Sequence, residues 1–347
     1  MGTLDGTGTR GGDASQVLLD VQGLSKSFPL RRHLSRRVVG TVKAVEDMTF
    51  QVHRGETVGL VGESGCGKTT TGRCILRAVE PTAGRVVLHD GERDVDVLDL
   101  RRRALRTFRR HMQIIFQDPY SSLNPRMTVM QIVGEPLVIH GMARGRELER
   151  RVRDLIEQVG LDPRYLNRYP HAFSGGQRQR IGIARALAIH PQLVVADEAV
   201  SALDMSMQAQ ILNLLKDLQK RMNLTYLFIA HDLSVVRHFS DRVLVMYAGR
   251  LVEVASTRAL FERPLHPYTE ALLSAAPRAD PLDKSKRIIL SGEVPDPANR
   301  PSGCPFHPRC RFADDRCKTE VPALRKVQEG HWSACHYAEK LELSGIG

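Results

Sequence analysis

Eight consecutive residues, Gly62-Glu63-Ser64-Gly65-Cys66-Gly67-Lys68-Thr69, fit the spacing G-x-x-x-x-G-K-[ST]. They stand between a stretch that reads as a strand, Glu56–Val61, and one that reads as a helix, from about Gly67 to Arg77. Glycines at these positions let backbone N–H groups wrap a phosphate, and the helix start adds partial positive charge. Lys68 can then reach the β- and γ-phosphates of a nucleotide, and Thr69 can hold Mg²⁺. A Gly-rich turn that fitted by chance would lack this strand–helix context. Further along, Asp197-Glu198 follow the apolar run Leu193–Ala196. Asp197 can complete a Mg²⁺ shell while Glu198 polarises an attacking water. Alone, two acids at a strand end could equally be solvated loop residues; beside the phosphate loop they read as chemistry.

Two further groups need separate accounts. Ser174-Gly175-Gly176-Gln177 opens a helix, and a small hydroxyl with two glycines there can form a second phosphate cradle, although one is already present. An isolated Ser-Gly-Gly would by default be a helix cap. Of six cysteines, Cys66 and Cys74 are scattered, whereas Cys304, Cys310, Cys317 and Cys335 crowd together with spacing C-x5-C-x6-C-x17-C. Without a secretion signal such clustering points to metal or cluster ligation before disulfides. The tight C-x2-4-C pair usual for zinc is absent, and four thiolates at looser spacing suit a [4Fe–4S] cluster. Zinc, buried reduced cysteines and a disulfide pair are the alternatives.

The elements that must position these residues alternate in type. Val17–Val21, Val42–Val52, Glu56–Val61, Gln113–Phe116, Leu193–Ala196, Tyr226–Ala230 and Arg242–Tyr247 read as strands. Helical periodicity marks Glu147–Gly160, Gly175–His190 (stopped by Pro191) and Met207–Met222, the last with Ile211, Leu214, Leu215, Leu218 and Met222 on one face. Asp118–Pro125, rich in Pro, Ser and Asn, must be irregular. Alternating strands and helices predict an α/β fold with a mainly parallel sheet covered on both faces. Residues 1–16 read as a disordered tail, 17–263 as the main domain, and 264–347, where Pro-rich segments begin, as an extension. There is no internal repeat.

Composition narrows the class. The 347 residues are 42% apolar and 26% charged, enough apolar material for a real core, which excludes a disordered or fibrous chain. Mean hydropathy is −0.25, and no window approaches the roughly 18 apolar residues needed to span a bilayer. Met1–Gln16 lacks the apolar segment of a signal peptide, so the expected location is the cytoplasmic side. The net charge of +11 is concentrated in Arg31-Arg32, Arg36-Arg37 and Arg101-Arg102-Arg103 with Arg106, Arg109 and Arg110. With one Trp and 5% aromatics, no stacking pattern interleaves them, so a solvated or lipid-facing surface is favoured over a nucleic-acid groove.

Taken in order, the phosphate loop, Ser174–Gln177, Asp197-Glu198, Ser201-Ala202-Leu203-Asp204 and His231 resemble an ATP-binding cassette (ABC) ATPase from about Val17 to Ala255. The resemblance implies a P-loop core with a helical subdomain, and ATP with Mg²⁺ as ligands. Gly62 through Thr70 would bind ATP, with Lys68 on its phosphates, and Phe28 would stack on adenine. Thr69, Gln117 and Asp197 would surround Mg²⁺; Glu198 would be the base, and His231 would contact the γ-phosphate. Ser174, Gly175, Gly176 and Gln177 would act in trans on the ATP of a second subunit, with Asp204 closing the same interface. Phe116-Gln117-Asp118-Pro119-Tyr120-Ser121-Ser122-Leu123-Asn124-Pro125, Tyr169–Arg180 and the Cys-rich tail are similar to the oligopeptide/dipeptide importer cassette. Phe173 before the signature serine, and the glutamine after its glycines, favour the F-type subunit of such systems.

Ala199 departs from the family, which generally has Pro there; the change costs loop rigidity but touches no ligand, so hydrolysis is still expected. The implied partners are a second ATPase subunit in a heterodimer, two transmembrane permease subunits and an extracytoplasmic solute-binding protein, with no nucleic acid. Close relatives serve nickel and some sugars, which is the alternative solute class. A soluble ABC ATPase acting on nucleic acid or ribosomes is the more distant rival. It would carry tandem cassettes or long insertions between Lys68 and Ser174, and this chain has neither.

Overall fold

All five residues of Thr57–Val61 are buried, as expected for a strand covered on both faces rather than half-solvated. The computed structural model describes residues 17–31, 38–91, 93–275, 288–293, 295–296 and 298–346. Thr57–Val61 pairs in parallel with Arg242–Tyr247, Val58 opposite Arg242 and Val61 opposite Val245. A two-residue turn, Ala248-Gly249, with φ 45° and 85°, reverses the chain into the antiparallel strand Arg250–Ser256. Two tail strands, His331–Ser333 and then Arg325–Gln328, extend that edge. Beside these lies an antiparallel four-stranded sheet in the order Val38–His53, Val17–Arg31, Ala83–His89, Asp94–Asp96. These elements form one compact unit, made of the described residues up to His53, within Thr57–Leu98 and from Ala230 onward.

The second unit, Arg54–Glu56 with Asp99–Ile229, is built on three parallel strands. Leu193–Asp197 lies between Met112–Ile115 and Thr225–Ile229. Its main helices are Val129–Ile139, Gly145–Gln158, Gly175–Leu187 and Met205–Met222. On the last, Ile211, Leu214, Leu215 and Leu218 of the anticipated stripe are buried, while Met222 at the helix end is half-buried.

The expected parallel strands are thus present, and antiparallel strands add to them because short connections cannot return a chain in parallel. The first two strands run longer than their apolar cores, to Arg31 and from Val38, since hairpin pairing carries them past the last buried residue. Met1–Gln16 and the arginines Arg32, Arg36 and Arg37 lie outside the described residues, as does the side chain of Arg31. Arg101, Arg102, Arg103, Arg106, Arg109 and Arg110 are exposed on and around the short helix Arg102–Phe108.

The extension is pinned by a fully buried carboxylate. Glu253 accepts from the backbone N–H of Leu265 (2.6 Å) and His266 (3.0 Å) and from His331 Nε2 (2.7 Å). Three donors offset the cost of burying it. The next imidazole, His266, accepts at Nδ1 from the Tyr268 N–H (3.1 Å), and burial drives its pKa from 6.5 down to about 3. Between those values the unfolded chain binds a proton that the folded chain refuses, so stability is complete above about pH 6.5 and is lost as pH falls toward 3. Urea unfolding from about pH 6 to about pH 5 should therefore show a loss of up to about 1.4 kcal/mol per pH unit from this group. That share of the slope should vanish in His266→Gln; an unchanged slope would remove the assignment.

Candidate active site

In the first unit the phosphate loop ends on Gly67, which caps the helix Lys68–Ile75 with φ 110°, ψ 3° and no side-chain cap. A helix start arranged in this way offers backbone N–H groups to an anion. Two glycines are required sterically. A Cβ on Gly62 would lie 2.1 Å from the Met246 carbonyl oxygen, and one on Gly67 would lie 2.2 Å from that of Ala44. Lys68 is buried, and its ammonium donates to the carbonyls of Gly62 (2.8 Å) and Glu63 (3.0 Å), with the Cys66 sulfur at 4.0 Å. Burial pushes the Cys66 thiol up, so at neutral pH it is a neutral neighbour of the lysine. Ser64 and Gly65 are exposed, and Thr69 and Thr70 are half-buried on the first helical turn. Phe28 is exposed on its strand rather than part of the core, with Lys26 Nζ 4.7 Å from its ring centroid. His231 is exposed in the turn before the helix Leu233–Phe239.

The second unit brings another set together. Asp197 is 2% exposed at the C-terminal end of Leu193–Asp197, where a parallel strand delivers its last side chain to a ligand. A carboxylate oxygen is a donor type that a hard cation such as Mg²⁺ accepts. Glu198 follows in the left-handed region, φ 47°, unusual for a side-chain-bearing residue and typical of functional turns. Its N–H donates to the Ile229 carbonyl (3.0 Å). Gln117 Nε2 donates to Glu198 Oε2 at 2.8 Å, and Ser201 Oγ donates to the Glu198 carbonyl at 3.0 Å. Gln117 and Glu198, far apart in the sequence, therefore touch. Ala199 behind them is buried.

Ser174 caps the helix Gly175–Leu187 reciprocally: its Oγ accepts from the Gln177 N–H (3.4 Å), and Gln177 Oε1 accepts from the Ser174 N–H (3.0 Å). The helix-cap role and an exposed Ser174 at a helix start are both present. Gly175 has room around it, whereas a Cβ on Gly176 would meet the flexible end of Met207 at 1.8 Å. Asp204 caps Met205–Met222, accepting from the Met207 N–H at 2.9 Å. The irregular segment after Gln117 is stitched to the Ser174 helix. Arg185 donates to the Ser122 carbonyl (2.6 Å), Gln179 to that of Phe116 (3.5 Å), and the Arg178 guanidinium lies 4.0 Å from the Tyr120 ring centroid. Phe116 and Tyr120 keep exposed ring surface there. Sequence reasoning missed Arg178 and Arg185, since an Arg on a helix signals nothing about which loop it will hold.

It also missed two residues of the extension that reach the phosphate loop. Both carboxylate oxygens of Glu63 accept from Arg309, and the Glu63 N–H donates to the Tyr268 hydroxyl. Nothing in the spacing connects positions so far apart in the chain.

The four tail thiols are well placed in the structure. Cys304, Cys310, Cys317 and Cys335 are all free, and Cys335 lies near enough to the other three to feel their charge. Yet no three or more His, Cys, Asp or Glu side chains among the described residues are arranged to hold a metal ion. Burial raises all four thiols, Cys304 to about 11 and Cys335 to about 12, and neighbouring thiols add to the rise at Cys304, Cys310 and Cys335. The [4Fe–4S] and zinc expectations thus find no support among the described residues.

A capped-by-glycine phosphate loop, an acid pair at a parallel strand end and a Ser-Gly-Gly helix start define an ABC-type nucleotide-hydrolysing cassette. Residues 45–201 match the family described as ABC transporter, and residues 252–317 match the oligopeptide/dipeptide transporter C-terminal region. The chain is 50% identical over 324 residues to the oligopeptide transport ATP-binding protein AppF of Bacillus subtilis, covering 92% of this chain and 97% of that one. It is 54% identical over 318 residues to a putative peptide import ATP-binding protein of Brucella ovis, covering 92% and 97%. A dimeric, post-hydrolysis ATP-binding cassette, MJ0796 with ADP and Pi, aligns with TM-score 0.61 and 29% identity over 70% of this chain and 99% of that chain. The chain belongs to the ABC transporter ATP-binding proteins, in the branch that carries the oligopeptide/dipeptide transporter C-terminal region, and it is an ATPase. Among the described residues no helix is long and apolar enough to cross a membrane.

Proposed function

We propose that this chain is the ATP-hydrolysing subunit of a peptide importer, held on the cytoplasmic face of the membrane by permease subunits. Gly62–Thr70 cradle the phosphates, with Lys68 on the β- and γ-groups, and Phe28 stacks on adenine. Thr69, Gln117 and Asp197 would hold Mg²⁺, which offsets charge on the phosphates and orients them. Glu198 takes a proton from the attacking water, and His231 contacts the γ-phosphate. Ser174, Gly175, Gly176 and Gln177 serve the ATP of a partner ATPase, with Asp204 at the same interface. Full-length likeness to proteins named for oligopeptide transport and peptide import favours peptide as the solute.

The observation that carries the coupling is the Gln117–Glu198 hydrogen bond. It joins the hydrolytic carboxylate to a segment that is stitched to the Ser174 helix and still presents Phe116 and Tyr120. A partner pressing on that segment would therefore act on the base and on the signature helix together. Purifying the tagged chain from its host in mild detergent tests the reading. Two multi-spanning proteins and a second cassette ATPase are the expected companions, with an extracytoplasmic binding protein that takes up peptides. Recovery of ribosomes or nucleic acid without membrane proteins would overturn it, and a binding protein selective for nickel would replace the solute. Elemental analysis of the same complex reads whether the tail carries iron, zinc or neither.

A further inference from the structure

We propose that Arg309 and Tyr268, both carried by the C-terminal extension, are positioning residues for the ATP-binding loop and act through Glu63. Glu63 follows Gly62 directly, and it is gripped at several atoms. Its Oε2 accepts from Arg309 Nη1 at 2.7 Å and its Oε1 from Nη2 at 3.0 Å, a two-pronged pair that fixes orientation as well as distance. Its N–H donates to the Tyr268 hydroxyl at 2.8 Å. Its carbonyl accepts from Lys68 Nζ at 3.0 Å. One loop residue thus joins the extension on one side to the phosphate-reading lysine on the other.

The grip is built rather than incidental. The Arg309 side chain is 6% exposed and that of Glu63 25%, so the pair is largely out of water, where such contacts gain strength. Tyr268 is fully buried, its ring 4.6 Å from that of Tyr247 and 5.4 Å from that of Phe306. Phe306 meets Tyr247 edge-on at 5.2 Å, and Arg309 Nη1 also reaches the Tyr247 hydroxyl at 3.4 Å. Arg311, two residues on, holds the buried Glu270 of the same helix as Tyr268 with contacts of 3.0 and 2.8 Å. The arginine and the tyrosine are therefore fixed to each other before they meet the loop.

A loop containing Gly62, Gly65 and Gly67 loses much conformational freedom when it closes on a phosphate. Ties from outside reduce that loss beforehand, which raises affinity. Neither Arg309 nor Tyr268 takes part in water attack, so the benefit falls on binding and not on the chemical step.

The inference rests on Gly62–Thr70 being the ATP-binding loop, and the test separates the two. In the purified transporter complex, Arg309→Met should weaken ATP binding about tenfold and raise KM in step, with kcat at saturating ATP within about twofold of the parent. Glu63→Gln should weaken ATP binding by a similar factor, and the double variant should lose no more than the weaker-binding single, because both act through one contact. Arg309→Lys keeps the charge without the fork and should recover part of the loss. Tyr268→Phe keeps the aromatic packing and removes only the hydroxyl, so it carries the test if the Arg309 variants fold poorly; its expected loss is about threefold. Unchanged affinity in Arg309→Met and Tyr268→Phe, a kcat that falls while KM stays, or losses that add in the double variant would each overturn the inference. Lys68→Ala is the reference and should abolish ATP binding. If it binds ATP normally, the loop reading itself is wrong and the inference falls with it.

Discussion

Glu198→Gln should lower ATP turnover by about a hundredfold to a thousandfold while leaving ATP affinity unchanged. The replacement is nearly isosteric, and an amide oxygen can still accept the hydrogen bond that Gln117 Nε2 makes to Glu198 at 2.8 Å. The left-handed turn at φ 47° and the N–H bond to the Ile229 carbonyl do not depend on the side-chain charge. What disappears is basicity, the property that water activation needs. An intact site that binds but does not hydrolyse should accumulate the closed, ATP-bound pair of cassettes, which size-exclusion chromatography with ATP would register as a larger species. Near-normal turnover in this variant would remove Glu198 as the base and leave its contact with Gln117 a structural one.

Gly67→Ala should damage the loop severely with a single methyl group. Its Cβ would stand 2.2 Å from the Ala44 carbonyl oxygen and 2.7 Å from Met246 Cε, on a backbone with φ 110°. The chain has to move, and the first turn of Lys68–Ile75 moves with it. The expected result is at least a hundredfold loss of nucleotide affinity together with about 2–4 kcal/mol of stability, read by titration with a fluorescent ATP analogue and by thermal unfolding. Gly65→Ala is the internal control. Gly65 also has positive φ, 79°, but nothing lies within 4 Å of its Cβ position. Only the backbone penalty of about 1–2 kcal/mol should apply there. Equal losses at the two positions would show that conformation, not collision, governs this loop.

Much of the candidate site was legible in the sequence because the residues proposed to bind phosphate are local. Gly62–Thr69 is a single continuous turn whose shape follows from its glycines, and Asp197-Glu198 are placed by the apolar strand before them. The helix stripe of Ile211, Leu214, Leu215 and Leu218 was readable for the same reason, since it depends only on a 3.6-residue period. Contacts distant in sequence were not legible. The Arg309–Glu63 pair, the Tyr268 hydroxyl and the Glu253 peg all depend on which strand the tail returns to. His331–Ser333 is three residues long and carries no alternation that could announce it. The four tail cysteines stand apart: their spacing suggested a metal's donor set, and none is found among the described residues.

The central claim is that ATP hydrolysis by this chain drives peptide inward across the membrane. Its most direct test is accumulation of a labelled peptide in proteoliposomes that hold the purified complex, with ATP enclosed on the side of this subunit and the binding protein on the other. Uptake should require ATP, rise with the binding protein and cease in the Glu198→Gln complex. Hydrolysis that proceeds without peptide accumulation, and without response to the binding protein, would contradict the claim.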